Sequence, residues 1–123
     1  MNQKPKLLIV DDEAYNVDYL EQELEECGYE IITAFNGKEA QDKIRREQPD
    51  LVLLDLMMPI VDGFAVLSEI KADNDLREIP VIIISAATDS KSIVKGIKLG
   101  ADDYLTKPVD ADLLLQKVKE YLG

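Results

Sequence analysis

A chain of 123 residues, 46% hydrophobic and 32% charged, has the size and composition of one folded domain, which excludes a disordered segment and needs neither disulfides nor a structural metal to build a core. Its 14 basic and 25 acidic residues leave a net charge of −11, which argues against direct contact with a nucleic-acid backbone. No histidine is present, so the commonest general base, the usual zinc ligand and any phosphohistidine are excluded from this chain.

Lys6 to Val10 is an apolar run that reads as the first strand. A helix is predicted over 13–27, carried by Val17, Leu20, Leu24 and Cys27 at helical spacing and stopped by Gly28. Cys27, the one cysteine, has no internal disulfide partner, which fits a reducing compartment, and is expected as a small buried hydrophobe on that helix. The acidic run Glu21 to Glu26 reads as its solvated face. Glu30 to Ala34 is the second strand, and a second helix over 37–47 is stopped by Pro49. Leu51 to Leu54 is the third strand, with a helix over 62–72. Val81 to Ile84 is the fourth, with a helix over 88–99 stopped by Gly100. Asp103 to Thr106 is the fifth, with a helix over 110–122. Gly37 and Gly63 read as turn or helix-entry glycines without a phosphate-cradling role.

The runs at 7–10, 51–54 and 81–84 are continuous rather than alternating, the pattern of parallel strands covered on both faces. No Ser/Gly-rich linker interrupts the alternation, so a single domain over 1–123 is expected, with no output domain after the last helix. No apolar run is long enough to span a bilayer and none follows the polar start as a signal peptide would, so a cytoplasmic protein without membrane contact is expected. Five βα units with right-handed crossovers predict an α/β fold: a doubly wound three-layer sandwich on a five-stranded parallel sheet in the order 2-1-3-4-5.

Ligands of such a sheet bind beyond the carboxyl ends of its strands. Asp11, Asp12 and Glu13 follow the first strand, Asp55 the third, Ser85 the fourth and Lys107 the fifth. Those strands are neighbours in the predicted order, so three carboxylates (Asp11, Asp12, Asp55), a hydroxyl and an ammonium are expected at one place. Crowded carboxylates call for protonation or a cation. Oxygen-only ligands point to Mg2+, with Mn2+ or Ca2+ as substitutes. Asp55 then reads as a carboxylate nucleophile able to form an acyl phosphate, with Lys107 neutralising the phosphoryl oxygens and Ser85 donating to them.

The strings Leu-Leu-Ile-Val-Asp-Asp-Glu at 7–13, Asp-Leu-Val-Leu-Leu-Asp-Leu-Met-Met-Pro at 50–59 with Asp62 and Gly63, Val-Ile-Ile-Ile-Ser-Ala at 81–86 and Gly-Ala-Asp-Asp-Tyr-Leu-Thr-Lys-Pro at 100–108 resemble those of receiver domains of bacterial response regulators, over essentially the whole chain. The resemblance implies a flavodoxin-like fold of the chemotaxis-regulator kind and a phosphorylation switch rather than a conventional enzyme. It implies that Asp55 accepts a phosphoryl group from a sensor histidine kinase or phosphotransfer protein, with self-catalysed transfer and autodephosphorylation. Asp12, Asp55 and the Met57 carbonyl would ligate the metal, and Asp11 would hold a metal-bound water. Lys107 would bind the phosphoryl group, with Ser85 and Tyr104 as switch residues and a cis peptide before Pro108. It further implies a downstream protein partner for the surface of the fourth helix, fifth strand and fifth helix, through which a weak homodimer could also form. Met57 and Ala87, beside the acceptor, would influence water access and phosphoryl lifetime.

Three other functions compete. A phosphatase of the haloacid dehalogenase type also uses a strand-end Asp and magnesium, but it needs a second Asp two residues on, where Met57 stands. A flavin binder would need a Ser/Thr/Gly phosphate loop after the first strand, where Asp11, Asp12 and Glu13 would repel a phosphate. A receiver-like module that binds proteins independently of phosphate is opposed by the presence of all five chemical residues.

Overall fold

The computed structural model describes residues 4–58, 60–86 and 89–123; Pro59, Ala87 and Thr88, which the motifs and the predicted fourth helix include, lie outside the described residues. Five strands alternate with five helices: β1 (Lys6–Val10), α1 (Ala14–Glu25), β2 (Glu30–Ala34), α2 (Gly37–Glu47), β3 (Leu51–Asp55), α3 (Gly63–Ala72), β4 (Val81–Ala86), α4 (Ser90–Lys98), β5 (Asp103–Lys107) and α5 (Ala111–Leu122). The strands form one parallel sheet in the order β2-β1-β3-β4-β5, as the spacing predicts.

Burial explains the pattern of apolar runs. All five residues of β3 are buried, as are four of β1 and five of β4, whereas edge strands β2 and β5 alternate or stay half-exposed. Alternate side chains of the central strands feed two cores. Leu8, Val10, Val52, Leu54, Val81 and Ile83 pack under α2 and α3, and Gly96 brings α4 onto Ile83 on the same face. Leu7, Ile9, Leu51, Leu53, Ile82 and Ile84 pack under α1 and α5. Each such side chain contributes about 1.5–3 kcal/mol on burial, so the two cores clamp the sheet and hold its carboxyl edge in one shape.

Helix ends follow local chemistry. Asn36, Asp62 and Asp110 accept from the backbone N–H groups of Glu39, Ala65 and Leu113 and cap α2, α3 and α5, so Asp62 and Asp110 precede the helices that the sequence has them begin. α1 closes at Glu25, two residues before the expected end, because the chain turns there and Gly28 takes φ +84°. Cys27 therefore lies past the helix, half-buried against the α1–α5 core. α2 ends in a left-handed Gln48 ahead of Pro49, and Gly100 follows α4 with φ +115°.

Gly37 and Gly63 are required for close approach rather than for an unusual φ. A Cβ on Gly63 would stand 2.4 Å from the Asp55 carbonyl oxygen, and one on Gly37 would stand 2.0 Å from that of Val61. The Gly63 N–H donates to the Leu56 carbonyl at 3.0 Å. The backbone of Asp55 and Leu56 is thus held against the start of α3, and that of Val61 against the start of α2, by glycines whose missing side chains make room for it.

Candidate functional site

The alternation that builds the cores also aims the charged residues at the strand tips. Asp11 continues the β1 series of Leu7 and Ile9, Asp55 that of Leu51 and Leu53, and Lys107 that of Leu105, all directed to the α1–α5 face. Asp11 and Asp55 are buried, 1% and 5% exposed, and Asp12 stands at the open rim. Carboxylate oxygens of Asp11, Asp12 and Asp55 lie within 4.8 Å of one another. Lys107 Nζ is 3.2 Å from Asp11 Oδ2 and 3.6 Å from Asp55 Oδ2. The backbone assists: the Glu13 N–H donates to Asp11 Oδ1 at 2.9 Å and the Met57 N–H to Asp55 Oδ1 at 3.2 Å.

Charge does not balance there. Burial first, and then the Asp11 carboxylate, pushes the Asp55 carboxyl from 3.8 up to about 6, against the opposing pull of Lys107 and the Met57 amide. For Lys107 burial disfavours the ammonium, yet Asp55 and Asp11 together outweigh it and hold its pKa above the ordinary value. One ammonium thus faces three carboxylates. A divalent cation fits this donor set on two grounds: the ligand atoms are hard oxygens, and the negative charge exceeds what Lys107 compensates.

Asp11, Asp12, Asp55 and Lys107, expected together at adjacent strand tips, are brought together in the structure. Ser85 is 2% exposed near the end of β4, but its strand parity is that of Ile83, on the α4 side, and its hydroxyl donates to Asp89 Oδ2 at 3.1 Å. Asp89 was not anticipated; no periodicity singles out an acid four residues past the serine in a loop. Tyr104, paired with Ile83 and so on the same face as Ser85, is 45% exposed. Met57 is exposed beside Asp55, and the Lys107–Pro108 peptide is cis. Next to Asp11 and Lys107 a groove of about 390 Å³ opens between α1 and the segment after β5, walled by Tyr15, Tyr19, Ile84 and Val109.

A family model, the response regulator receiver domain, matches residues 7–119. The chain belongs to the response-regulator receiver family. Among curated relatives, the DNA-binding dual master transcriptional regulator RpaA of Synechocystis sp. is 39% identical over 118 residues, 96% of this chain and 49% of that protein. The response regulator PleD of Caulobacter vibrioides is 41% identical over 114 residues, 93% of this chain and 25% of that protein. The chain spans about half the length of the first curated relatives it matches, 49% in each of the leading three. The receiver domain of the Francisella response regulator 1452 superposes with a TM-score of 0.88 at 36% identity, covering 97% of both chains. The receiver is thus a component of two-component signal transduction, and receivers of this family are not conventional enzymes. Neither the phosphatase nor the flavin reading is favoured beside it. No described helix is long and apolar enough to cross a membrane.

Proposed function

We propose that this receiver takes a phosphoryl group onto Asp55 from the phosphohistidine of a sensor histidine kinase or phosphotransfer protein, in a magnesium-dependent step that it catalyses itself. The observation that carries the reading is the Lys107 ammonium set between the Asp11 and Asp55 carboxylates, at 3.2 and 3.6 Å. An Asp55 oxygen attacks phosphorus, the P–N bond breaks, and its electron pair returns to the donor imidazole. With a carboxyl pKa near 6, Asp55 is largely ionised at neutral pH and ready to attack. Lys107 neutralises phosphoryl oxygens as charge builds on them. Asp12, Asp55 and the Met57 carbonyl would hold Mg2+, with Asp11 on a metal-bound water; the ion supplies charge neutralisation at the phosphoryl oxygens. The same site, reached by water, returns the domain to its resting state.

The new group adds roughly −1.5 to −2 charges. Ser85 exchanges Asp89 for the phosphoryl oxygens, and Tyr104 turns from its exposed position toward the space the serine leaves. The surface of α4, β5 and α5 then changes shape for a downstream protein, or for a second copy in a weak homodimer. A cytoplasmic location goes with this reading.

The test is intact mass after incubation with acetyl phosphate or phosphoramidate. The expected adduct needs Mg2+ and is lost with chelator and in Asp55→Asn. Persistent absence of an adduct under conditions where hydrolysis is slow overturns the reading in favour of phosphate-independent protein binding. A Ser85→Ala variant that still switched its partner fully on phosphorylation would contradict the relay through Tyr104.

A further inference from the structure

The turn between β1 and α1 carries a fourth carboxylate, Glu13, and its side chain is engaged elsewhere. Glu13 stands at the N-cap position of α1, yet its side chain makes no capping bond. Both its oxygens are instead taken by the first helical turn: the Tyr15 hydroxyl donates to Oε2 at 2.6 Å and Asn16 Nδ2 donates to Oε1 at 3.4 Å. Tyr15 is 66% exposed, so burial of its ring does not account for its position. The Glu13 backbone N–H donates to Asp11 Oδ1, which keeps the residue beside the acidic cluster. The oxygens that gather within 4.8 Å nevertheless belong to Asp11, Asp12 and Asp55, without Glu13.

We infer that Tyr15 and Asn16 are positioning residues that tether Glu13 away from the cation site and so favour a small, strongly hydrated divalent ion over a larger one. The inference rests on the reading of Asp11, Asp12 and Asp55 as that site. Magnesium keeps several waters and uses one or two carboxylates, whereas calcium takes six to eight oxygens and gains more from each added carboxylate. A glutamate at this position has the length and rotamer freedom to swing inward, and the two donors from α1 restrain it. Selectivity between cations would then be set partly by residues that touch neither the ion nor the phosphoryl group.

Calorimetric titration of the full chain with MgCl2 and with CaCl2 tests this. In Tyr15→Phe/Asn16→Ala the ratio of calcium to magnesium affinity is expected to rise about three- to tenfold, as for one extra carboxylate at a water-exposed site. Adding Glu13→Gln to that variant should return the ratio to the wild-type value, which a merely structural role for Tyr15 would not do. Wild-type protein that binds both ions, with a ratio unmoved by the double variant or moved equally without Glu13, overturns the inference alone. Wild-type protein that binds neither ion overturns the cation-site reading and this inference with it.

Discussion

Replacing Asp55 by asparagine should stabilise the metal-free protein, although it removes the proposed phosphoryl acceptor. The change keeps the shape and the acceptor for the Met57 N–H while deleting a buried negative charge beside Asp11. The rise of the Asp55 carboxyl from 3.8 to about 6 corresponds to about 3 kcal/mol at about 1.4 kcal/mol per pH unit. Water in the open cleft lowers the expected gain to about 1–2 kcal/mol. The sign follows from proton linkage: between 3.8 and about 6 the native state holds a proton that the unfolded chain has released, so stability falls as pH rises through that window. The gap between variant and wild type should be absent below pH 3.8 and fully open above about 6. Urea unfolding in EDTA across that range reads it as a midpoint shift of roughly 0.5–1 M. Magnesium at a hundred times its Kd should add about 2.7 kcal/mol to the wild type and close or reverse the gap, since the variant lacks one of the proposed ligands. An Asp55→Asn protein less stable than wild type in EDTA at neutral pH, or a gap independent of pH, would refute the argument.

Gly63→Ala should cost about 1–3 kcal/mol in thermal unfolding, because the added methyl meets the Asp55 carbonyl oxygen at 2.4 Å and the Leu56 Cα at 2.6 Å. It should also weaken magnesium binding measured by calorimetry, since the backbone it displaces carries Asp55. Ile60→Gly should raise stability by about 1 kcal/mol, because Ile60 holds φ +69° while 81% exposed, so little packing is lost; differential scanning calorimetry reads the change. Lys71→Met should lose about 1–3 kcal/mol, since Lys71 Nζ donates to the carbonyls of Arg77 and Ile79 and to Asp102 Oδ2. Magnesium affinity should be untouched by it, and calorimetric titration checks that at once.

The five βα units, the strand order and the meeting of Asp11, Asp12, Asp55 and Lys107 were legible in the chain because each rests on a local pattern. Continuous apolar runs mark doubly covered strands, and the residue after each run sits at the sheet edge whatever the loops do. Handedness of the crossovers then leaves few ways to arrange the edge. Tertiary structure decided what depends on distant groups or on the rotamers of side chains at the strand ends and helix starts. The rise of the Asp55 pKa needs burial under α1 and α5 together with the nearness of Asp11. The engagement of Ser85 with Asp89, four residues on, and the tether of Glu13 to Tyr15, two residues on, depend on side-chain rotamers that no periodicity records. Even the two glycines beside the β3–α3 loop changed meaning: Gly63 marks a helix entry in the sequence, but only the folded chain brings the Asp55 carbonyl to where a side chain would stand. Periodicity records which face a residue takes, whereas contacts between residues far apart in the chain exist only once two cores have closed on the sheet.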